Sequence, residues 1–174
     1  TEFLYGGAKG GGKSHLLRVS GIRWCVEVPG IQVYLFRRKL PDLKRNHLQG
    51  PNSYFRLLSP YLKSGHVKYK VVDNEFEFWN GSTIHLCYCD SEYDVENHQG
   101  SEIHVLQMDE LTHYTEYQYR YLRGQVRLAG LKVPEKYIGM LPRIETAIGS
   151  AKPSGRSQNV PIIHWTSPAN GSFA

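Results

Sequence analysis

The stretch Gly7-Ala8-Lys9-Gly10-Gly11-Gly12-Lys13-Ser14 satisfies G-x-x-x-x-G-K-[ST] at every fixed position, and its reading decides the fold. Glycines let consecutive backbone N–H groups turn inward around an anion. Lys13 would then reach the β- and γ-phosphates of a nucleotide, and the Ser14 hydroxyl would hold Mg²⁺. The competing reading is a flexible glycine loop, and context separates the two, because a phosphate-binding loop follows a buried strand and opens a helix. Phe3-Leu4-Tyr5 is a short apolar run ending at Gly6. Beyond the loop Leu16, Leu17, Ile22, Trp24, Cys25 and Val26 recur at roughly helical spacing until Pro29-Gly30 stops them. The helix N-terminus would point its free N–H groups and positive dipole end at the phosphates. Gly7, Gly10, Gly11, Gly12, Lys13 and Ser14 are therefore candidate nucleotide-binding residues.

The second chemical constellation is Ile103-His104-Val105-Leu106-Gln107-Met108-Asp109-Glu110, an apolar strand ending in two carboxylates. An acidic pair at a strand end is common by itself. Downstream of a phosphate loop it has the pattern of a Walker B strand. Asp109 would hold, through water, the Mg²⁺ bound to Ser14, and Glu110 would orient and polarise the water that attacks the γ-phosphate.

A chain of 174 residues with 40% hydrophobic and 12% aromatic content can bury one substantial core, and its length favours a single domain over residues 1–174. Net charge +5 suits an anionic partner such as nucleotide or nucleic acid without establishing one. No apolar run is long enough to span a membrane and no charged-then-apolar leader precedes the first strand, so a soluble, intracellular protein is expected. Cys25, Cys87 and Cys89 are too few and too unevenly spaced for a disulfide framework or a four-ligand zinc site. They are expected to be reduced, with Cys87 and Cys89 packed on one face.

Along the chain, Ile31 to Phe36 reads as a buried strand closed by Arg37-Arg38-Lys39, with a helix start at Pro41-Asp42. Leu43 to Leu62 continues a helical region broken at Gly50-Pro51 and Ser59-Pro60, with Lys44 and Arg45 on its polar side. These basic residues form either a solvated face or a phosphate contact. Val67 to Tyr88 changes to short β runs, with Asn80-Gly81 as the strongest hairpin signal. Asp90, Glu92, Asp94 and Glu96 lack calcium-loop spacing and read as a solvated loop. Tyr114 to Leu128 predicts an amphipathic helix with Tyr117, Tyr121, Leu122 and Val126 inward. Ile144 to Ile148 and Ile162 to Thr166 read as further strands, with a polar connector at Ser150 to Asn159.

On these residues the chain resembles the ATPase domain of the large terminase subunit of tailed bacteriophages, the motor that packages viral DNA. The resemblance spans about Phe3 to Arg143. It is carried by Gly7 to Ser14, Arg37-Arg38, Asp42-Leu43-Lys44 with Asn46-His47-Leu48, and Asn80-Gly81-Ser82. Its sharpest part is Gln99-Gly100-Ser101-Glu102 leading into Asp109-Glu110-Leu111-Thr112-His113-Tyr114-Thr115-Glu116, with Tyr119 to Arg127 behind it. The Walker motifs alone indicate a P-loop NTPase, and another translocase or a helicase would share them.

The resemblance implies an α/β P-loop NTPase of the ASCE type, with a mostly parallel central sheet and added antiparallel strands. Its cofactors would be ATP and Mg²⁺, with Glu110 as catalytic carboxylate and Lys9 as an extra basic residue near the γ-phosphate. Arg37 or Arg38 sits where related motors supply an arginine finger across a ring, and the sequence leaves the choice open. For the coupling motif, Ser150 to Gly155 and Thr166 to Gly171 compete. The second follows the better strand and offers Ser167 and Asn170. Gln125 departs from the arginine common behind the Walker B helix. The family's nuclease domain has no counterpart in these residues and its adenine-binding segment has no room ahead of Thr1, so no DNA cleavage is expected, and ATP binding with little turnover is an alternative. Implied partners are double-stranded DNA, the portal protein, the small terminase subunit and further copies in a homo-oligomeric ring, in the cytoplasm of an infected bacterial host.

Overall fold

Val33, Tyr34, Leu35 and Phe36 are all buried, although consecutive residues of a strand point to opposite faces. Their strand must therefore be covered on both sides, the situation that parallel sheets require. The structure, a computed structural model, describes residues 2–6, 12–127, 130–132 and 144–147, with the backbone alone for 2–3 and 144–147. The elements in chain order begin with β1 (Glu2–Tyr5), α1 (Lys13–Glu27), β2 (Gln32–Arg37) and α2 (Leu40–Leu43), followed by a π-helical turn (Lys44–Leu48). Next come α3 (Tyr54–Leu57), α4 (Ser59–Lys63), β3 (Val67–Lys70), β4 (Glu75–Phe78) and β5 (Thr83–Tyr88). A 3₁₀ segment (Glu92–His98), β6 (Val105–Asp109), a 3₁₀ turn (Leu111–His113), α5 (Glu116–Gly124) and β7 (Ile144–Ala147) complete them.

Among the described residues seven strands form one sheet, in the order β1-β7-β6-β2-β5-β4-β3. Pairing is parallel from β1 through β5 and antiparallel for β5-β4-β3. This is the mixed α/β sheet that the sequence predicts, with the antiparallel strands added at one edge. Val33 and Leu35 of β2 and Val105 of β6 pack on one face with Leu17 and Cys25 of α1, Leu43, Tyr54 and Leu58. Tyr34 and Phe36, with Leu106 and Met108 of β6, pack on the other face with Val95, Ile103 and Leu122 of α5. On β4, Phe76 and Phe78 point into the first core while Glu75 and Glu77 are only partly covered, so the antiparallel edge has one dry face.

The Asn80-Gly81 turn does more than reverse the chain between β4 and β5. Asn80 Nδ2 donates to Cys25 O at 2.8 Å and Ser82 Oγ to Val28 O at 2.9 Å, so the turn satisfies carbonyls at the C-terminal end of α1. The cysteines are free, as expected. Burial pushes the Cys87 thiol up to about 12 and the Cys89 thiol to about 11, which suits packing rather than reactivity.

Two expectations are corrected. The acidic segment is not an irregular loop. Ser91 and Asp94 form a reciprocal capping box that starts the 3₁₀ segment, and Asp94 Oδ2 accepts from the Asp90 and Ser91 N–H groups. The helix predicted over Tyr114 to Leu128 is shorter, because Thr115 and Gln118 make a capping box and Gln125 caps the other end. That start rotates Gln118 and Leu122 inward and leaves Tyr117 outward, 48% exposed. Val126 lies beyond the helix and forms a parallel bridge with Ile103. Ile162 to Thr166 and Ser150 to Asn159 lie outside the described residues.

Candidate active site

The site forms where α1 begins and β6 ends, at the C-terminal edge of the parallel strands. Gly12 caps α1 at φ 73°, in the left-handed region that favours glycine, and its carbonyl accepts from Leu16 N at 2.8 Å. Lys13 and Ser14 therefore occupy the first turn, at the positive end of the helix dipole. Ser14 Oγ donates toward the Asp109 carboxylate, 3.3 Å from Oδ1 and 3.2 Å from Oδ2. Two motifs that are 95 residues apart in sequence thus meet directly.

Helix and strand are held in this relation by Gln107, which is buried on β6. Its Nε2 donates to Leu17 O at 2.9 Å and to Ser20 Oγ at 3.1 Å. Gly21 lies over the same amide: a Cβ there would sit 3.3 Å from Gln107 Oε1 and 3.5 Å from the Tyr54 hydroxyl, so a side chain would make the amide give by a few tenths of an ångström.

Asp109 is 1% exposed and collects three donors. Besides Ser14 these are the Arg37 Nη1 group and His47 Nε2, the latter at 3.0 Å. Burial alone would raise the carboxyl pKa. The hydrogen bond from His47, then the charge of Arg37 and the hydrogen bond from Ser14, outweigh it and hold Asp109 below the usual carboxylate range. His47 is pushed down by burial more than Asp109 raises it, so it is neutral near pH 7. Arg18 Nη1 stands behind it, 3.3 Å from His47 Nδ1 and 3.0 Å from Asn46 O.

Glu110 follows with φ 57° and ψ 57°, a left-handed conformation uncommon outside glycine and asparagine. This bend turns its carboxylate out of the strand direction toward Arg37 Nη2 at 3.3 Å and His113 Nε2 at 3.4 Å. Strain of this kind, about 1–3 kcal/mol, collects at functional sites. Beside it lies a cleft of about 280 Å³ lined by Arg37, Arg38, Lys39, Asp42 and His113.

The structure therefore brings together Gly12, Lys13, Ser14, Arg37, Asp109 and Glu110. Arg38 turns away from this group, and its Nε pairs with Asp90 Oδ1 at 3.1 Å on the surface. Gly7, Lys9, Gly10, Gly11, Ser167 and Asn170 lie outside the described residues. Sequence reasoning gave no role to Arg18 or to His113, and it quoted His47 only as part of a pattern. Helical spacing contained a usable signal, since Arg18 follows Ser14 by one turn on the same face of α1.

The oxygen set of Ser14 and Asp109 fits magnesium, which binds through one or two protein oxygens together with phosphates and waters. Among the described residues no group of three or more His, Cys, Asp or Glu side chains could hold a metal ion by itself. No helix among them is long and apolar enough to cross a membrane.

No family model matches the sequence, and no curated protein does. Solved structures match instead. The large terminase from a thermophilic bacteriophage superposes with a TM-score of 0.59 at 15% identity over 86% of this chain and 33% of its own. The same terminase in complex with ADP gives 0.57, and in complex with ATP-γ-S 0.55. The N-terminal domain of the DNA packaging ATPase from bacteriophage phi29 gives 0.50 at 16% identity, over 86% of this chain and 73% of that domain. This chain spans about a third of the length of the thermophilic phage's terminase. At these identities the likeness is one of fold, and the chain has the α/β fold of phage large-terminase ATPase domains.

Proposed function

We propose that this chain is a P-loop ATPase domain of the ASCE type from a viral terminase large subunit, converting ATP hydrolysis into movement of double-stranded DNA toward a procapsid. The observation that carries the reading is the Ser14–Asp109 contact, with Glu110 next in sequence and β7 intercalated between the strand that leads into the glycine motif and the strand that ends in the two acids. Such a hydroxyl–carboxylate pair at a helix N-terminus suits a nucleotide triphosphate and its cation.

In this reading Lys13 neutralises the β- and γ-phosphates, and the α1 N-terminus receives them. Ser14 and Asp109 hold the cation, Asp109 through water. Magnesium, when bound, supplies charge neutralisation and a template for the phosphates. Glu110 orients the attacking water once it leaves Arg37 and His113. Arg37, already beside both acids of its own chain, would neutralise charge in cis, whereas Arg38, held on the surface by its exposed pair with Asp90, would be the one to reach a neighbouring copy. Lys9 near the γ-phosphate, and Ser167 and Asn170 as the coupling loop, belong to the same proposal. So do the portal, the small subunit, a ring of copies and the cytoplasm of an infected bacterium.

A second reading, nucleotide binding with little turnover, is favoured by the engagement of Glu110 with Arg37 and His113. Phosphate release from ATP and Mg²⁺, with and without double-stranded DNA, separates the two. Turnover that vanishes in Glu110→Gln while nucleotide still binds supports the motor. Turnover that survives in that variant removes Glu110 from the catalytic role, and binding without phosphate leaves the second reading. Lys13→Ala should weaken ATP binding about tenfold or more, and unchanged binding would refute the phosphate-loop assignment.

A further inference from the structure

Behind the carboxylate that faces Ser14, two basic side chains are buried that the nucleotide chemistry above does not use. Arg18 comes from α1 and His47 from the π-helical turn after α2, and they are 6% and 0% exposed. With Asp109 at the end of β6 they form a line running inward from the site. A guanidinium donates only, so His47 Nδ1, facing Arg18 Nη1 at 3.3 Å, must present its lone pair. The ring proton then sits on Nε2 and is donated to Asp109 Oδ2 at 3.0 Å. A second proton on Nδ1 would set two donors against each other.

We infer that Arg18 and His47 are positioning residues for Asp109: Arg18 fixes the Nε2–H tautomer of His47, and His47 anchors the carboxylate in the orientation that meets Ser14 and a hydrated divalent cation. The cation part of this inference rests on the ATPase reading, and the hydrogen-bond chain does not.

Three observations carry it. Of these donors to Asp109, Ser14 and Arg37 are only partly buried, so they can exchange partners when nucleotide and cation arrive. His47 is sealed from solvent and cannot, which makes it the fixed member of the set. The cost of the placement also argues against filler. Arg18 Nε is buried without a hydrogen-bond partner, and an apolar pair would fill the same volume more cheaply. Finally, the backbone widens into a π-helical turn over Lys44–Leu48 where His47 turns inward, and such turns concentrate at functional sites. Partners that orient metal-binding side chains typically change metal affinity when they are lost.

Two measurements on the 174-residue chain test the inference. Long-range ¹⁵N–¹H spectra of the histidine side chains at pH 7 should show His47 as the neutral Nε2–H tautomer, and as a mixture of tautomers in Arg18→Met. An Nδ1–H form or an imidazolium in the wild-type chain overturns the chain of donors, and an unchanged tautomer in Arg18→Met overturns the part given to Arg18. The second readout is the affinity for a fluorescent ADP analogue with and without Mg²⁺. His47→Leu should reduce the gain from Mg²⁺ by about tenfold to a hundredfold while changing metal-free affinity little. His47→Gln, whose amide supplies one donor and one acceptor, should restore the gain to within about threefold. Equal Mg²⁺ gains in the leucine variant and the wild type overturn the positioning role. Failure of glutamine to rescue overturns the hydrogen-bond explanation, and remains a test if the leucine variant does not fold. A wild-type chain that gains no affinity from Mg²⁺ overturns the ATPase reading and the cation part of the inference, while the tautomer still decides the hydrogen-bond chain.

Discussion

Arg37 and Glu110 meet within one chain, Nη2 to Oε1 at 3.3 Å, while the other guanidinium nitrogen, Nη1, donates to Asp109. The two acids at the end of β6 thus share one counter-charge, which is itself mostly buried. Arg37→Ala should leave two neighbouring carboxylates without it. The expected loss of stability is about 2–3 kcal/mol, below the figure for a fully buried pair because His47 and Ser14 still donate to Asp109. Arg38→Ala, whose ion pair with Asp90 is solvent-exposed, should change stability by less than about 0.5 kcal/mol. Urea unfolding of the two variants checks the contrast, and equal losses would contradict the placement of Arg37.

The close approach of α1 to β6 leaves little room beyond a Cβ at Gly21. Valine there would push against Gln107 and the Tyr54 hydroxyl from both sides of an amide that also holds Leu17 and Ser20. Overpacking of this kind costs about 1–3 kcal/mol. Thermal melting should fall by roughly 2–4 °C for each kcal/mol lost. Because the same contact sets the height of Ser14 above Asp109, nucleotide affinity should fall with it.

Thr115 starts α5 and also ties it to the 3₁₀ segment. Its Oγ1 accepts from Gln118 N at 3.2 Å and donates to Glu92 Oε1 at 2.7 Å. Thr115→Ala should cost about 1 kcal/mol, the usual worth of an N-cap. Hydrogen exchange should quicken at the first turn of α5 while amides of β2 keep their protection. Uniformly faster exchange would mean that the cap supports more than its own helix.

Acid should weaken the fold first through buried histidines. Burial lowers the pKa of His85 and of His98, which packs edge-on to Phe36 with ring centres 4.8 Å apart. Both stay neutral in the folded chain at a pH where the unfolded chain, near 6.5, already takes up protons. Their contribution is complete above about pH 7 and is lost as pH falls from about 6.5 toward the lower folded-state values. Asp109, with its pKa lowered, acts only well below this window, as pH falls under about 3.9. Melting temperature should drop between pH 7.5 and 5.5, and His98→Gln should flatten that drop. A slope unchanged in the variant would assign it elsewhere.

The parts of the site legible in the sequence were those with fixed spacing or strict alternation. Gly12 to Ser14, the largely apolar run into Asp109-Glu110 and the apolar Val33 to Phe36 of β2 each announce one element and one partner. Arg18 offered only its spacing, one turn after Ser14, and His47 offered nothing, because a basic residue on a helix is ordinarily solvated, and the fold alone shows that α1 and the π-helical turn press both against β6. Tyr117 misled for a related reason. Periodicity supplies the spacing of an apolar face but not its phase, and here the Thr115–Gln118 cap sets the phase. The sheet partner of β5 was equally hidden, since the Asn80-Gly81 turn accounts for its antiparallel edge and says nothing of the parallel pairing with β2 on the other side.

The position of β7 bears on how the chain comes to life. Among the described residues β1 pairs only with β7, and β7 in turn pairs with β6. The strand that delivers the glycine motif thus has no place in the sheet until residues 144–147 have been made and slotted between it and the acidic strand. During synthesis β2, β5 and β6 can assemble early, while β1 waits for β7, a pairing at the slow, non-local end of the folding scale. A nascent chain stalled before β7 could already dock α1 on β6 through Gln107, yet the strand that leads into the glycine motif would hang outside the sheet.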